Sequence, residues 1–160
     1  MTKAVPSVIE ADQTPYEKIG GERAVRAICK RLYQLMDQLP EAKACRDVHP
    51  PSLRRAEEKL FEFVSGWLGG PQLYRRKYGH PRLRQRHFVA PIGNEETSGW
   101  LGCFHQAWNE VVPASRLADE LAARIDALGW HMRNTTRKAS AECPFTEKQT
   151  SSNNQAGCTR

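Results

Sequence analysis

The sequence predicts an all-α domain. Four segments repeat apolar residues at three- and four-residue steps, the spacing that lines one face of a helix. Acidic or hydroxyl residues open the last two of these segments, and glycine and proline close the second. Sustained strand alternation is absent.

The elements follow in chain order. Residues 1–14 are mostly polar, carry Pro6, and read as a flexible extension. The first helix is predicted from about Glu22 to Leu39, with Val25, Ile28, Leu32, Leu35 and Met36 on one stripe. The second runs from about Leu53 to Leu68 on Leu53, Ala56, Leu60, Phe63, Val64 and Trp67, and Gly69, Gly70 and Pro71 stop it. The third starts near Asn94, where Glu95 and Glu96 favour the positive end of the helix dipole, and carries Trp100, Leu101, Phe104, Trp108 and Val111. The fourth follows Pro113, with Ser115 as its cap, and places Leu117, Leu121, Ile125, Leu128 and Met132 in register. Residues 15–134 thus form one domain. The stretch 135–160 is polar, with Phe145 its only large apolar side chain, so it buries too little surface to offset its ordering entropy and is expected to be disordered.

Residues 69–93 break the pattern. Gly69, Gly70, Pro71, Gly79, Pro81, Pro91 and Gly93 forbid a long helix there, and a loop of that length in a compact domain is usually functional. It also holds His80 and His87. With the long helices arranged as two antiparallel pairs, a flat cofactor could lie between them, coordinated from the loop side. His87 alone reads either as such a ligand or as a surface loop histidine.

Composition narrows the classes. The chain has 160 residues, 39% hydrophobic and 26% charged, enough for one domain with a real core. No apolar run approaches the roughly 18 residues of a membrane span, and Met1–Val5 lack the basic start and apolar stretch of a signal peptide. A cytoplasmic protein without a membrane partner is expected. The cysteines (Cys29, Cys45, Cys103, Cys143 and Cys158) form no CxxC pair, so neither zinc nor a disulfide framework is expected. Cys29 and Cys103 read as small core residues. The net charge of +6 gathers at Arg75, Arg76, Lys77, Arg82, Arg84 and Arg86. That patch could meet nucleic-acid phosphates or the carboxylates of a haem, although no nucleic-acid-binding motif accompanies it.

The block Tyr78-Gly79-His80-Pro81-Arg82-Leu83-Arg84-Gln85-Arg86-His87-Phe88, followed by Gly99-Trp100-Leu101-Gly102-Cys103-Phe104, resembles the group II truncated (2-on-2) haemoglobins. Gly20-Gly21, Arg31-Leu32-Tyr33, Ala56-Glu57-Glu58-Lys59-Leu60 and Gly69-Gly70-Pro71 resemble them too, over roughly residues 15–134. Trp100 follows His87 by 13 positions, as that group has it.

The resemblance implies a 2-on-2 globin fold holding haem b between two antiparallel helix pairs. His87 matches the proximal iron ligand. Tyr33 and Trp100 match the tyrosine and tryptophan whose O–H and N–H face a bound gas. Ala56 stands where many globins place a polar distal residue, with Leu60 one turn on, so the polar work passes to Tyr33 and Trp100. Phe63, Trp67, Leu83 and Phe88 are expected to pack on the haem, and Tyr74, Arg84 and Arg86 to meet its edge and propionates. His49 departs from the aromatic residue usual at its corner. It reads either as a solvent-facing histidine before Pro50 and Pro51, or as a third distal group that donates to bound gas or ligates iron itself. His105 and His131 read as partly exposed or satisfied helix residues, and Trp67, Trp108 and Trp130 as helix-contact residues.

The implied function is binding of oxygen, carbon monoxide and nitric oxide with slow oxygen release, which suits redox chemistry, detoxification or sensing better than bulk transport. Peroxidase-like or nitrite chemistry stays open, as does a six-coordinate redox protein using His49 or Tyr33 as internal ligand. Expected partners are the gases and a reductase, with no nucleic acid, in a monomer or homodimer.

Overall fold

A computed structural model describes residues 12–135, and the fold is entirely helical within them. Cys143, Cys158 and nearly all of the two predicted extensions lie outside the described residues. Helix α1 (Pro15–Lys18) is opened by Thr14, whose hydroxyl accepts from the Glu17 N–H while the Glu17 carboxylate accepts from the Thr14 N–H at 2.9 Å, a reciprocal cap. The Tyr16 N–H donates to Leu68 O at 2.9 Å and ties this turn to the end of the second long helix.

The four predicted long helices are α2 (Gly21–Gln38), α4 (Arg54–Trp67), α7 (Asn94–Val111) and α8 (Arg116–His131). A five-residue helix, α3 (Lys43–Asp47), lies between the first two and follows a 3-10 turn at Pro40–Ala42. Ser115 caps α8 as expected, its hydroxyl accepting from Ala118 N–H at 3.1 Å. At the start of α7 the Glu96 carboxylate accepts from Gly93 N–H at 2.8 Å, satisfying a donor that the helix cannot.

Helix α2 packs on both α4 and α7, and α7 packs on α8. The predicted stripe of α2 is the centre of the core: Val25, Ile28, Leu32, Leu35 and Met36 are at most 2% exposed. Leu101, Phe104 and Trp108 of α7 and Leu121 and Ile125 of α8 complete it. An ion pair of Arg31 with Glu110 clamps α2 to α7 on the outside, and a 2.7 Å hydrogen bond between His105 and Asp126 joins α7 to α8. Helix α4 differs from its sisters. Phe61, Val64 and Leu68 enter the core, while Ala56, Leu60 and Phe63 of its predicted stripe stay half-buried and face a cavity.

Close approach at two glycines sets the spacing of α7. A Cβ on Gly99 would stand 3.1 Å from the Glu41 carbonyl oxygen and 3.2 Å from the Ala42 Cα. One on Gly129 would stand 2.9 Å from the Leu101 side chain. The first approach presses the 3-10 turn at Pro40–Ala42, and α3 behind it, onto the turn of α7 that carries Trp100.

The 69–93 segment contains more structure than its sequence suggests. Helices α5 (Leu73–Tyr78) and α6 (Leu83–Arg86) and a 3-10 turn at His87–Val89 are strung along it. Gly79 and Arg82 turn the chain between them, with φ of 75° and 43°. Arg82 is the described non-glycine residue in the left-handed region, a conformation that costs on the order of 1 kcal/mol. Distant groups hold the segment in place. Asn134 donates to the carbonyls of His87 and Ala90, each at 3.0 Å, and accepts from Ile92 N–H at 2.9 Å. Arg84 donates to His131 O at 3.1 Å.

Candidate functional site

A cavity of about 330 Å3 opens between the long helices and the 69–93 segment. Tyr33, His49, Ala56, Leu60, Phe63, Tyr74, Leu83, Arg86, His87 and Trp100 all line it. Residues from α2, α4, α5, α6, α7 and the turns at His49 and His87 therefore converge on one space.

On the loop side stands His87. Its Nδ1 lies 2.6 Å from the carbonyl oxygen of Leu83. A carbonyl only accepts, so Nδ1 carries the proton and the neutral ring keeps its lone pair on Nε2. That is the tautomer a metal-ligating imidazole needs, with the other nitrogen held by a backbone carbonyl.

His49 repeats the arrangement from the corner after α3, its Nδ1 lying 2.8 Å from Cys45 O. In the neutral form its Nε2 is then an acceptor, never a donor. Its ring meets the Tyr33 ring edge to face, with centroids 6.0 Å apart. Tyr33 is 6% exposed, and burial pushes its phenol well above the usual tyrosine range, an effect that the hydrogen-bonding indole N–H of Trp100 opposes. The phenol therefore keeps its proton and remains a donor. The Trp100 ring stacks on Phe104, with centroids 5.7 Å apart, which fixes where its N–H points.

The cationic residues are mostly engaged. Arg86 donates to Pro81 O at 2.9 Å and Tyr78 O at 3.2 Å, so it braces the loop while lining the cavity. Lys59, which the sequence reading missed, also lines the cavity, with its ammonium 5.3 Å from the Tyr78 ring centre. Its position three residues after Ala56 on one helix face was the available signal. Cys45, Val48, Ile92, Glu96, Thr97, Leu128 and Met132 are among the other lining residues and were not expected there.

Comparison with known proteins identifies the architecture. The bacterial-like globin profile matches residues 14–134. The chain belongs to that family. This globin is 46% identical to the group II 2-on-2 haemoglobin of Agrobacterium tumefaciens, over 79% of its own chain and 98% of the other, with a TM-score of 0.76. It is 39% identical to the cold-adapted truncated haemoglobin of Pseudoalteromonas haloplanktis, over 77% and 99% of the two chains, with a TM-score of 0.74. The group 2 truncated haemoglobin of Bacillus subtilis is 35% identical over 126 residues, 76% of this chain and 89% of that one.

The globin is thus a truncated 2-on-2 fold, with α2 and α4 as one helix pair and α7 and α8 as the other. Its cofactor is haem b, and the residues present fit that group: a histidine with a free Nε2, apolar and aromatic walls, and the cations Lys59 and Arg86 at the lining. No described helix is long and apolar enough to cross a membrane.

Three residues expected against the haem stand elsewhere. Trp67 and Arg84 line a neighbouring open groove beside α5 and α6 instead of the main cavity. The Trp67 ring lies under Arg124, at 4.8 Å. Phe88 is turned outward and 59% exposed, in a 3-10 turn that buries none of its three residues.

Proposed function

We propose that this globin binds diatomic gases at a haem held by His87, with Tyr33 and Trp100 as hydrogen-bond donors to the bound gas. The observation that carries the reading is the pairing within one cavity of a histidine whose Nε2 is free with two donors, the buried Tyr33 phenol and the half-buried Trp100 indole. Bound haem supplies an iron that takes a diatomic ligand and passes electron density onto it. Around it, Leu83 fixes the His87 tautomer, Lys59 and Arg86 are the cations that would hold the propionate carboxylates, and Ala56, Leu60 and Phe63 exclude water. Tyr33 and Trp100 donate toward the partly negative end of the ligand. Hydrogen bonds to charged groups contribute roughly 1.5–3 kcal/mol each, so two of them slow release by about two to four powers of ten. Such retention suits redox chemistry on oxygen or nitric oxide, or sensing, and not bulk delivery.

A second reading, a six-coordinate form in the absence of gas, is favoured at His49 by its free Nε2.

The deciding experiment is the absorption spectrum of the haem-loaded protein in ferric, ferrous and carbonmonoxy states, for wild type and His87→Ala. A histidine-ligated spectrum lost in the variant is expected. A spectrum indifferent to His87 would overturn the assignment.

A further inference from the structure

Among the described residues, the large apolar side chains left exposed are Phe88 at 59%, Val89 at 92% and Trp130 at 38%. They belong to one face. Arg84 lies over the Phe88 ring at 5.9 Å and donates to the carbonyl of His131, next to Trp130. Arg133 lies over the Trp130 ring at 4.9 Å, and the following residue, Asn134, is bonded to the His87 carbonyl. An apolar centre is therefore rimmed by guanidinium groups, on the segment that continues directly from His87. Exposed aromatic residues ringed by arginine mark protein interfaces.

The segment that carries this face is cationic as far as Asn94, where Glu95 and Glu96 begin α7. From Phe63 to Asn94 the sequence holds six Arg and Lys and no Asp or Glu. A second copy of the chain would bring the same positive rim against it. The residues beyond Thr135 are no better matched, since Arg137, Lys138, Lys148 and Arg160 outnumber Glu142 and Glu147. The complementary occupant is an acidic protein.

We propose that this face docks an acidic one-electron carrier protein, of the flavin or iron–sulfur class, that reduces the haem. This deepens the gas-binding reading and rests on it. One electron leaves the reduced carrier, which is oxidised, and converts ferric haem to ferrous, so no bond forms or breaks. Docking over Phe88 and Val89 places the carrier on the His87 side, one residue from the proposed ligand. Electron-transfer complexes are small and steered by charge, which an apolar centre with an arginine rim satisfies.

The test uses the holoprotein, with a plant-type acidic [2Fe–2S] ferredoxin as probe. Affinity is measured by calorimetry and the rate of ferric-haem reduction by stopped flow, each at low and high salt, with dithionite as a small reductant that needs no docking. The Val89→Glu/Arg133→Glu variant is expected to bind the ferredoxin about ten-fold or more weakly at low salt and to be reduced correspondingly slowly. The difference should shrink at high salt, while the dithionite rate and the carbonmonoxy spectrum stay as in wild type. Arg116→Glu, about 20 Å away at the other end of α8, should change nothing. The proposal is overturned by ferredoxin binding that is absent or indifferent to salt, by equal loss in Arg116→Glu, or by sedimentation showing that the double variant breaks a self-association through this face. Failure of the gas-binding reading shows separately, as loss of the carbonmonoxy spectrum in wild type, while calorimetry on the same chain still decides the docking.

Discussion

His49 and Tyr33 meet edge to face across the cavity, with ring centroids 6.0 Å apart, and the two groups have opposite hydrogen-bonding characters. Tyr33 keeps its proton because it is buried, whereas the neutral His49 ring commits its Nδ1–H to a hydrogen bond with the Cys45 carbonyl and offers only a lone pair at Nε2. The donor expected from the sequence at His49 is, in the neutral ring, an acceptor. Oxygen release should therefore speed up by about ten-fold or more in Tyr33→Phe and in Trp100→Phe, and change less in His49→Ala. Stopped-flow oxygen displacement by carbon monoxide measures all three. Release from His49→Ala as fast as from Tyr33→Phe would show that the imidazole donates after all.

His87 offers a sharper test than removal alone. Its Nδ1 bond to Leu83 O, at 2.6 Å, orients the ring from the backbone, so the turn survives loss of the side chain. In His87→Gly, free imidazole added to the solution should restore the carbonmonoxy spectrum that the variant lacks. An unaltered spectrum in His87→Gly without imidazole would remove the residue from the iron.

The long helices could be read from the sequence because each has a continuous apolar stripe, with a capping side chain at the start of α7 and of α8 as well. The short ones could not. Helices α5 and α6 have six and four residues, too few for periodicity to register, and their form depends on Asn134, Arg84 and the left-handed Arg82. The cavity was legible where a motif fixed its residues, as at His87 and Trp100. It was illegible at Lys59, Ile92 and Met132, whose roles come from the packing of distant elements. Phe88 shows the converse: neighbourhood to the ligand in sequence says nothing about which way a side chain leaves a 3-10 turn.

The buried thiols make the fold sensitive to alkali. Burial pushes Cys29 and Cys45 up to about 12, against an ordinary thiol value of about 8.5. A group whose folded pKa is raised stabilises the fold fully below the unfolded value, and that contribution is lost as pH climbs toward the folded one. Stability should fall from about pH 8.5 upward, by about 2 kcal/mol per thiol at pH 10. Urea midpoints at pH 7 and pH 10 would show the drop, and Cys29→Ala/Cys45→Ala should reduce it. Equal midpoints for wild type at the two pH values would mean that the thiols ionise without cost in the folded state.

Arg46 governs where His49 stands. Its guanidinium pairs with the Asp37 carboxylate and donates to Pro50 O at 3.0 Å and Pro51 O at 2.9 Å, while its own carbonyl accepts from the His49 N–H at 3.1 Å. The corner is thus held on both sides of the histidine by a residue that is itself outside the cavity. Lysine cannot reproduce this, because a point charge on a flexible stem cannot serve two carbonyls and a carboxylate at once. Arg46→Lys should therefore keep the fold and the His87-dependent carbonmonoxy spectrum, yet shift the gas-free ferric spectrum in the same direction as His49→Ala. Near-ultraviolet circular dichroism separates this local release from global unfolding. A ferric spectrum that moves in His49→Ala but stays fixed in Arg46→Lys would mean that the Cys45 carbonyl and the two prolines orient the imidazole unaided.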